Sequence, residues 1–287
     1  MTKKTEILIE GMTFTEGPRW REDKLIFSDF FTHRVLSVDL SANVETIVET
    51  TYQPSGLGWR PDGTLLIVSM NDRKLLSFSE GELKEEADLS NLAPFHCNDM
   101  VVDNKGNAYV GNFGFDLHAG EKIKPTNLIL VRPGQDPLEV AQDLYFPNGA
   151  VITPDSKTLI VGETFGSKLT AFDINEDATL SNRRVWADLS SLKEGYSPVP
   201  DGICLDEEGA IWVASPTTSD VVRVGEGGIL LDQIEVETNA YACMLGGKDK
   251  RTLFISTAKD SGEEACLAHQ SARIEVVEVD VPGAGLP

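Results

Sequence analysis

No two cysteines in this chain are spaced as C-x-x-C. Cys97, Cys204, Cys243 and Cys266 stand far apart, which excludes a disulfide framework or a cysteine zinc site and predicts buried free thiols. Long apolar runs are also missing. The opening "MTKKTEILIE" carries two lysines but too short an apolar stretch for a signal peptide, and no membrane-length segment follows, so the expected setting is cytoplasmic and away from membranes. Basic residues are scarce: 25 against 46 acidic ones, for a net charge of -21. With no local basic patch, that balance excludes nucleic acid and anionic surfaces as partners. There is no G-x-S-x-G elbow, and His33, His96, His118 and His269 form no sequence-order triad with a serine. His33 and His269 read as structural or surface residues.

The chain is rich in turns instead, with 25 glycines and 14 prolines in 287 residues. A polar or glycine-bearing opening, a short apolar strand, a PDG-like turn and further strands recur along it. The cycles open at Glu16 ("EGPRWREDKLIFSD"), Ser55 ("SGLGWRPDGTLLIVS"), Asn98 ("NDMVVDNKGNAYVGN"), Asn148 ("NGAVITPDSKTLIVGE"), Asp201 ("DGICLDEEGAIWVAS") and Ala242 ("ACMLGGKDKRTLFIS"). A period of about 40–50 residues is that of propeller blades. The second strands, such as "LLIVS" and "AIWVAS", are apolar on both faces, as expected when each blade packs between two others. The turns "RPDGT", "DNKGN", "TPDSK" and "DEEGA" suit tight hairpins. The predicted fold is therefore all-β: a six-bladed β-propeller of four-stranded antiparallel blades, one domain over residues 1–287. The early strand "EILIE" is expected to join the last blade beside "IEVVEV" and close the ring.

Closure changes the meaning of the opening residues, because the start of each innermost strand faces the central channel. Glu16 and Asp201 offer anionic oxygens there, and Asn98 and Asn148 offer neutral amide oxygens. Together the four can converge on one divalent cation. The ligand types favour Ca²⁺, Mg²⁺ or Mn²⁺, while Zn²⁺ also accepts Glu and Asp. The adjoining glycines in "EGP", "SG", "NG" and "DG" permit close backbone approach. Any one of these dipeptides is equally an ordinary hairpin turn; the repeated set is what points to a site.

On "TEGPRW", "FHCNDM", "FPNGA" and "VPDGICLDEEGAIWVA", in this order along almost the whole chain, the sequence resembles the SMP-30/gluconolactonase (regucalcin-like) family. The resemblance implies a six-bladed propeller with a divalent ion near its channel, commonly Ca²⁺, and lactonase activity. It implies Glu16, Asn148 and Asp201 as metal ligands, Asn98 beside the ion to bind it or the substrate, and Asp201 as general base. His96 departs from sugar-lactonase members that place an arginine there, which weakens the expectation of a polyhydroxylated substrate. His96, Asn98, Phe113, Phe115, His118, Tyr145 and Tyr196 are the candidates for substrate binding, with Phe146 beside Tyr145. The expected reaction is hydrolysis of a small-molecule lactone or ester, with a cation-polarised carbonyl, water activated by Asp201 and help from Asn98. The alternatives are a phosphotriester or other ester hydrolase on the same scaffold, or a non-enzymatic calcium-binding propeller. The expected assembly is a monomer or small homo-oligomer.

Overall fold

The computed structural model describes residues 3–287; Met1 and Thr2, at the start of the span read as one domain, lie outside the described residues. Six four-stranded antiparallel sheets surround a channel, confirming the six-bladed propeller. The innermost strands of blades one to six are Thr15–Arg21, Pro54–Trp59, Cys97–Val102, Pro147–Ile152, Ile203–Leu205 and Asn239–Gly246. Blade six takes its outer strand from the other end of the chain: Glu6–Met12 pairs antiparallel with Ala272–Glu278.

Burial follows the strand's place in the blade. All residues of Cys97–Val102 and Pro147–Ile152 are buried, whereas Glu82–Asp88, at an outer edge, alternates or exposes its polar side chains. The acidic surplus collects on such edges, where charge discourages edge-to-edge pairing. The four cysteines are buried and free. Phe254 of blade six stacks on Trp20 of blade one, with ring centroids 5.2 Å apart, and so packs the seam where the ring closes. A Cβ on Gly246 would come within 2.5 Å of that indole, so this strand must carry glycine there.

The opening dipeptides are not hairpin turns. Register shifts fall between Glu16 and Arg19, Pro54 and Leu57, Cys97 and Met100, and Pro147 and Ala150. Each pair thus sits in a bulge of an inner strand, a device that re-aims a side chain out of the ladder. After Glu16, Ser55 and Asn148 glycine follows because the next blade is so close: a Cβ on Gly149 would lie 2.6 Å from the Asp201 carbonyl oxygen and from the Ile203 nitrogen. Gly17 also has φ +56, a conformation that L side chains resist.

The same bulge geometry corrects the sixth repeat. The Gly149 amide donates to the Asp201 carbonyl at 3.2 Å, and the Gly202 amide donates to the Tyr241 carbonyl at 2.8 Å. Tyr241, rather than Ala242, is therefore the sixth equivalent of Glu16. At the opposite end of the channel the C-terminal segment crosses beneath three blades: Ala284 donates to Leu205 at 2.9 Å, and Leu286 and Ile152 exchange a pair of bonds of 3.0 and 2.8 Å.

Candidate active site

The bulged residues open into a cavity of about 590 Å³ at the end of the channel where the inner strands begin. That volume suits a small organic ligand. Glu16, Asn98, Asn148 and Asp201, from four different blades, share its floor. His96, Phe113 and His118 line it as well.

The floor is electrostatically uncompensated. Neither Glu16 nor Asp201 has a cationic partner within 4.0 Å among the described residues. Burial pushes Asp201 up to about 8; the amide hydrogen bond from Asn148 opposes that rise, and the charge of Asp99 adds to it. Glu16 opens into the cavity rather than packing tightly, yet burial raises its carboxyl well above the usual range, followed by the charges of Asp201 and Asp99. The Gly17 amide, which donates to it at 3.1 Å, and the charge of Arg19 pull the other way.

The two amides are arranged differently. Asn148 Nδ2 donates to Asp201 Oδ1 and, at 3.2 Å, to Thr164 Oγ1, whose own hydroxyl donates to the Pro200 carbonyl at 2.8 Å. That chain fixes the Asn148 amide, leaving its carbonyl oxygen without a hydrogen bond from the described residues. Asn98 is buried, and its Nδ2 has no partner among the described residues. An orphaned buried donor costs about 1–3 kcal/mol, so its presence at the cavity floor points to a ligand that satisfies it.

These observations test the fit of a divalent cation. Two uncompensated carboxylates and two amide oxygens form a hard, oxygen-only donor set, suited to Ca²⁺ or Mg²⁺ more than to a structural zinc. No cluster of three or more His, Cys, Asp or Glu side chains that could hold a metal occurs among the described residues. The donor set therefore depends on the asparagines as much as on the acids.

Three sequence candidates lie outside the lining. Phe115 is buried behind it, 6.2 Å from the Phe146 ring and 5.5 Å from Phe165. Tyr145 is 38% exposed, with its backbone amide donating to Glu163 at 2.9 Å. Tyr196 bonds through its hydroxyl to Asp220 and receives Gln233 Nε2 at 3.2 Å, holding a loop against blade five. His96 is half-buried, stacked on Phe95 with centroids 4.1 Å apart, and burial lowers its pKa, as does the neighbouring His118.

The walls hold residues that the sequence reading passed over. Phe14, Gln53 and Val199 line the cavity two residues ahead of Glu16, Ser55 and Asp201, the offset that the expected candidates His96 and Phe146 have from Asn98 and Asn148. Where the backbone is extended a two-residue step keeps the same side, whereas Phe146, at φ +60, reaches the cavity from a left-handed turn. Phe30 and Phe31 enter from a short 3-10 turn, and Ser261 and Glu263 from the segment leading into the helix Glu263–His269, where no strand-based period applies.

Comparison with known proteins adds three findings. A family model described as SMP-30/Gluconolactonase/LRE-like region matches residues 14–259. The 6-deoxy-6-sulfogluconolactonase of Pseudomonas putida is 25% identical over 95% of this chain and 93% of its own length, and the pentonolactonase XacC of Haloferax volcanii is 24% identical over 99% and 96%. The crystal structure of a calcium-binding protein, regucalcin, from Agrobacterium tumefaciens shares the fold at a TM-score of 0.81, with 20% identity, covering 99% of this chain and 97% of that one.

Proposed function

Since the chain belongs to the SMP-30/gluconolactonase/LRE-like family, we propose that it is a lactone hydrolase whose site is built on Glu16, Asn98, Asn148 and Asp201 and holds one divalent cation. The observation that carries this reading is the pair of buried, uncompensated carboxylates beside an orphaned amide at the cavity floor.

Glu16, Asn148 and Asp201 would hold the ion, with Ca²⁺ the first choice for an all-oxygen set. When bound, it would polarise the lactone carbonyl and relieve the repulsion between the two acids. The protein's own groups divide the remaining work. Asp201 accepts a proton from water as the water oxygen bonds to the carbonyl carbon. Asn98 Nδ2, without a partner among the described residues, donates to the oxygen on which negative charge develops. The bond from the carbonyl carbon to the ring oxygen then breaks, and the Asp201 proton passes to the departing alkoxide, leaving a hydroxy acid. Asn148 keeps Asp201 oriented through its amide hydrogen bond.

The test is repeated turnover. Protein stripped with chelator, checked for folding and then supplied with Ca²⁺, Mg²⁺, Mn²⁺ or Zn²⁺ is expected to release many equivalents of hydroxy acid per chain. Tight cation binding with no lactone opened would replace the enzyme with a non-enzymatic binding propeller. Turnover of phosphotriesters alone would move the reaction class.

A further inference from the structure

Resting on the lactone-hydrolase reading, we infer that the substrate is a lactone bearing an alkyl or aryl substituent, and that sugar lactones and anionic lactones are excluded from this cavity. The inference comes from the walls above the floor. Six of the chain's twelve phenylalanines line this one cavity, and they form two banks. On one side Phe14 lies against Phe30 and Tyr241, with centroids 5.2 and 4.6 Å away. On the other, Phe113, Phe146 and Phe165 follow in series at 4.3 and 5.3 Å, the last two edge to face. Met70 and Leu117 extend the apolar lining, and Phe95 and Phe115 back it from behind.

Such a surface stabilises a ligand only by removing apolar area from water. Hydroxyl groups placed against these ring faces would lose water without gaining partners there, which is costly; Gln53, His96 and His118 are among the polar side chains left to meet them elsewhere in the lining. Several of the polar wall groups are already engaged: Thr164 with Pro200 and Asn148, and Asn71 Oδ1 with the Gln53 amide. No lysine or arginine lines the cavity among the described residues, whereas Glu16, Asp201 and Glu263 do. A sulfonate or phosphate held between the walls would therefore meet acids with no lysine or arginine to grip it. The P. putida relative is named for a sulfonated sugar lactone; this cavity lacks the charge for one. The floor still accepts the lactone carbonyl, so the polar and apolar demands fall on different ends of one molecule.

The experiment compares kcat/KM, with Ca²⁺ present, for six-membered lactones carrying alkyl chains of increasing length, a phenyl-substituted lactone, glucono-δ-lactone and its 6-phosphate. Binding of the matching alkyl and polyol lactams, followed by calorimetry, reads the wall independently of ring opening. The expected result is a rise of about fourfold per added methylene until the cavity is filled, with the sugar lactone at least about 100-fold below the best alkyl substrate. Phe165→Arg, at a rim position 37% exposed and so able to fold, should flatten the alkyl series and raise relative activity on the 6-phosphate. A flat alkyl series, or a preference for glucono-δ-lactone, would overturn the substrate assignment while lactone hydrolysis stands. Failure to open any lactone, with alkyl lactams still binding in rising order, would overturn the hydrolase reading and leave the apolar selectivity in place. No turnover together with no lactam preference would overturn both.

Discussion

Asp99 and Asp201 are both buried carboxylates beside the channel, and they keep opposite company. Asp99 accepts Arg19 Nη2 at 2.7 Å and the Met100 amide at 2.8 Å, and the same guanidinium donates to the carbonyls of Pro18, Leu57 and Met100. Burial raises its pKa, with Arg19 pulling against the rise. Asp201 receives an amide from Asn148 and no cation. On the proposed reading, the difference separates an acid that ties three blades together from one left for a ligand. A charge the fold has already neutralised has nothing left to offer a substrate. An uncompensated pair such as Glu16 and Asp201 costs stability, and the proposed cation would account for that cost.

The contrast breaks most sharply at Asp201. Asp201→Asn removes an anionic oxygen and a base while keeping the shape, so kcat is expected to fall by about 10²–10⁴-fold with the fold intact; steady-state kinetics on metal-loaded protein reads it, and near-normal turnover would remove Asp201 from the chemistry. Arg19→Met does the reverse. It strands Asp99 in the interior, and urea unfolding should show a loss of about 3–5 kcal/mol. Unchanged stability would mean that Asp99 is as poorly compensated as Asp201, and the comparison would collapse.

A pH series sharpens the same point. Asp201 is pushed up to about 8 and Glu16 is raised as well, so without a cation the folded protein holds more protons than the unfolded chain from the ordinary carboxylate range to about pH 8. Stability of chelated protein should therefore fall as pH rises through that window. Added Ca²⁺ should raise Tm more at the alkaline end than at the acid end; a Ca²⁺ effect independent of pH would argue that the acids are not its ligands. The smallest effect is expected at Tyr196→Phe, which loses one hydroxyl bond to Asp220, an acid that Gln233 and Thr218 also hold. That should cost about 0.5–1.5 kcal/mol with kcat/KM unchanged, and a large kinetic effect would bring Tyr196 back to the substrate.

The blades and four floor residues were legible because one physical demand repeats. Inner strands crowd their neighbours beside the channel, which selects glycine after Glu16, Asn148 and Asp201; Asn98 is followed by Asp99, and there Gly56 of the preceding blade takes up the closeness. The sixth blade hid its register because Tyr241-Ala242 replaces a polar residue and glycine, and alanine can also pack at that approach. Gly202 takes up the closeness from the other side: a Cβ on it would sit 2.5 Å from that of Ala242. Phe115 and Tyr196 fall outside the lining, and both sit in connections without strand alternation, where spacing does not decide which way a ring points. The pairing of Arg19 with Asp99, across 80 positions of sequence, had no local signal. Neither did the helix Glu263–His269, too short for a helical period to stand out.

The central claim is that Glu16 and Asp201 are left unpaired for a cation that the reaction requires. It is tested most directly by titrating Ca²⁺ into chelated protein, with calorimetric occupancy and lactone turnover followed in the same samples. The account predicts a single site per chain, with turnover rising in proportion to its filling and Glu16→Gln weakening both together. Full turnover at zero occupancy, or a filled site in which Glu16→Gln changes neither binding nor rate, would contradict it.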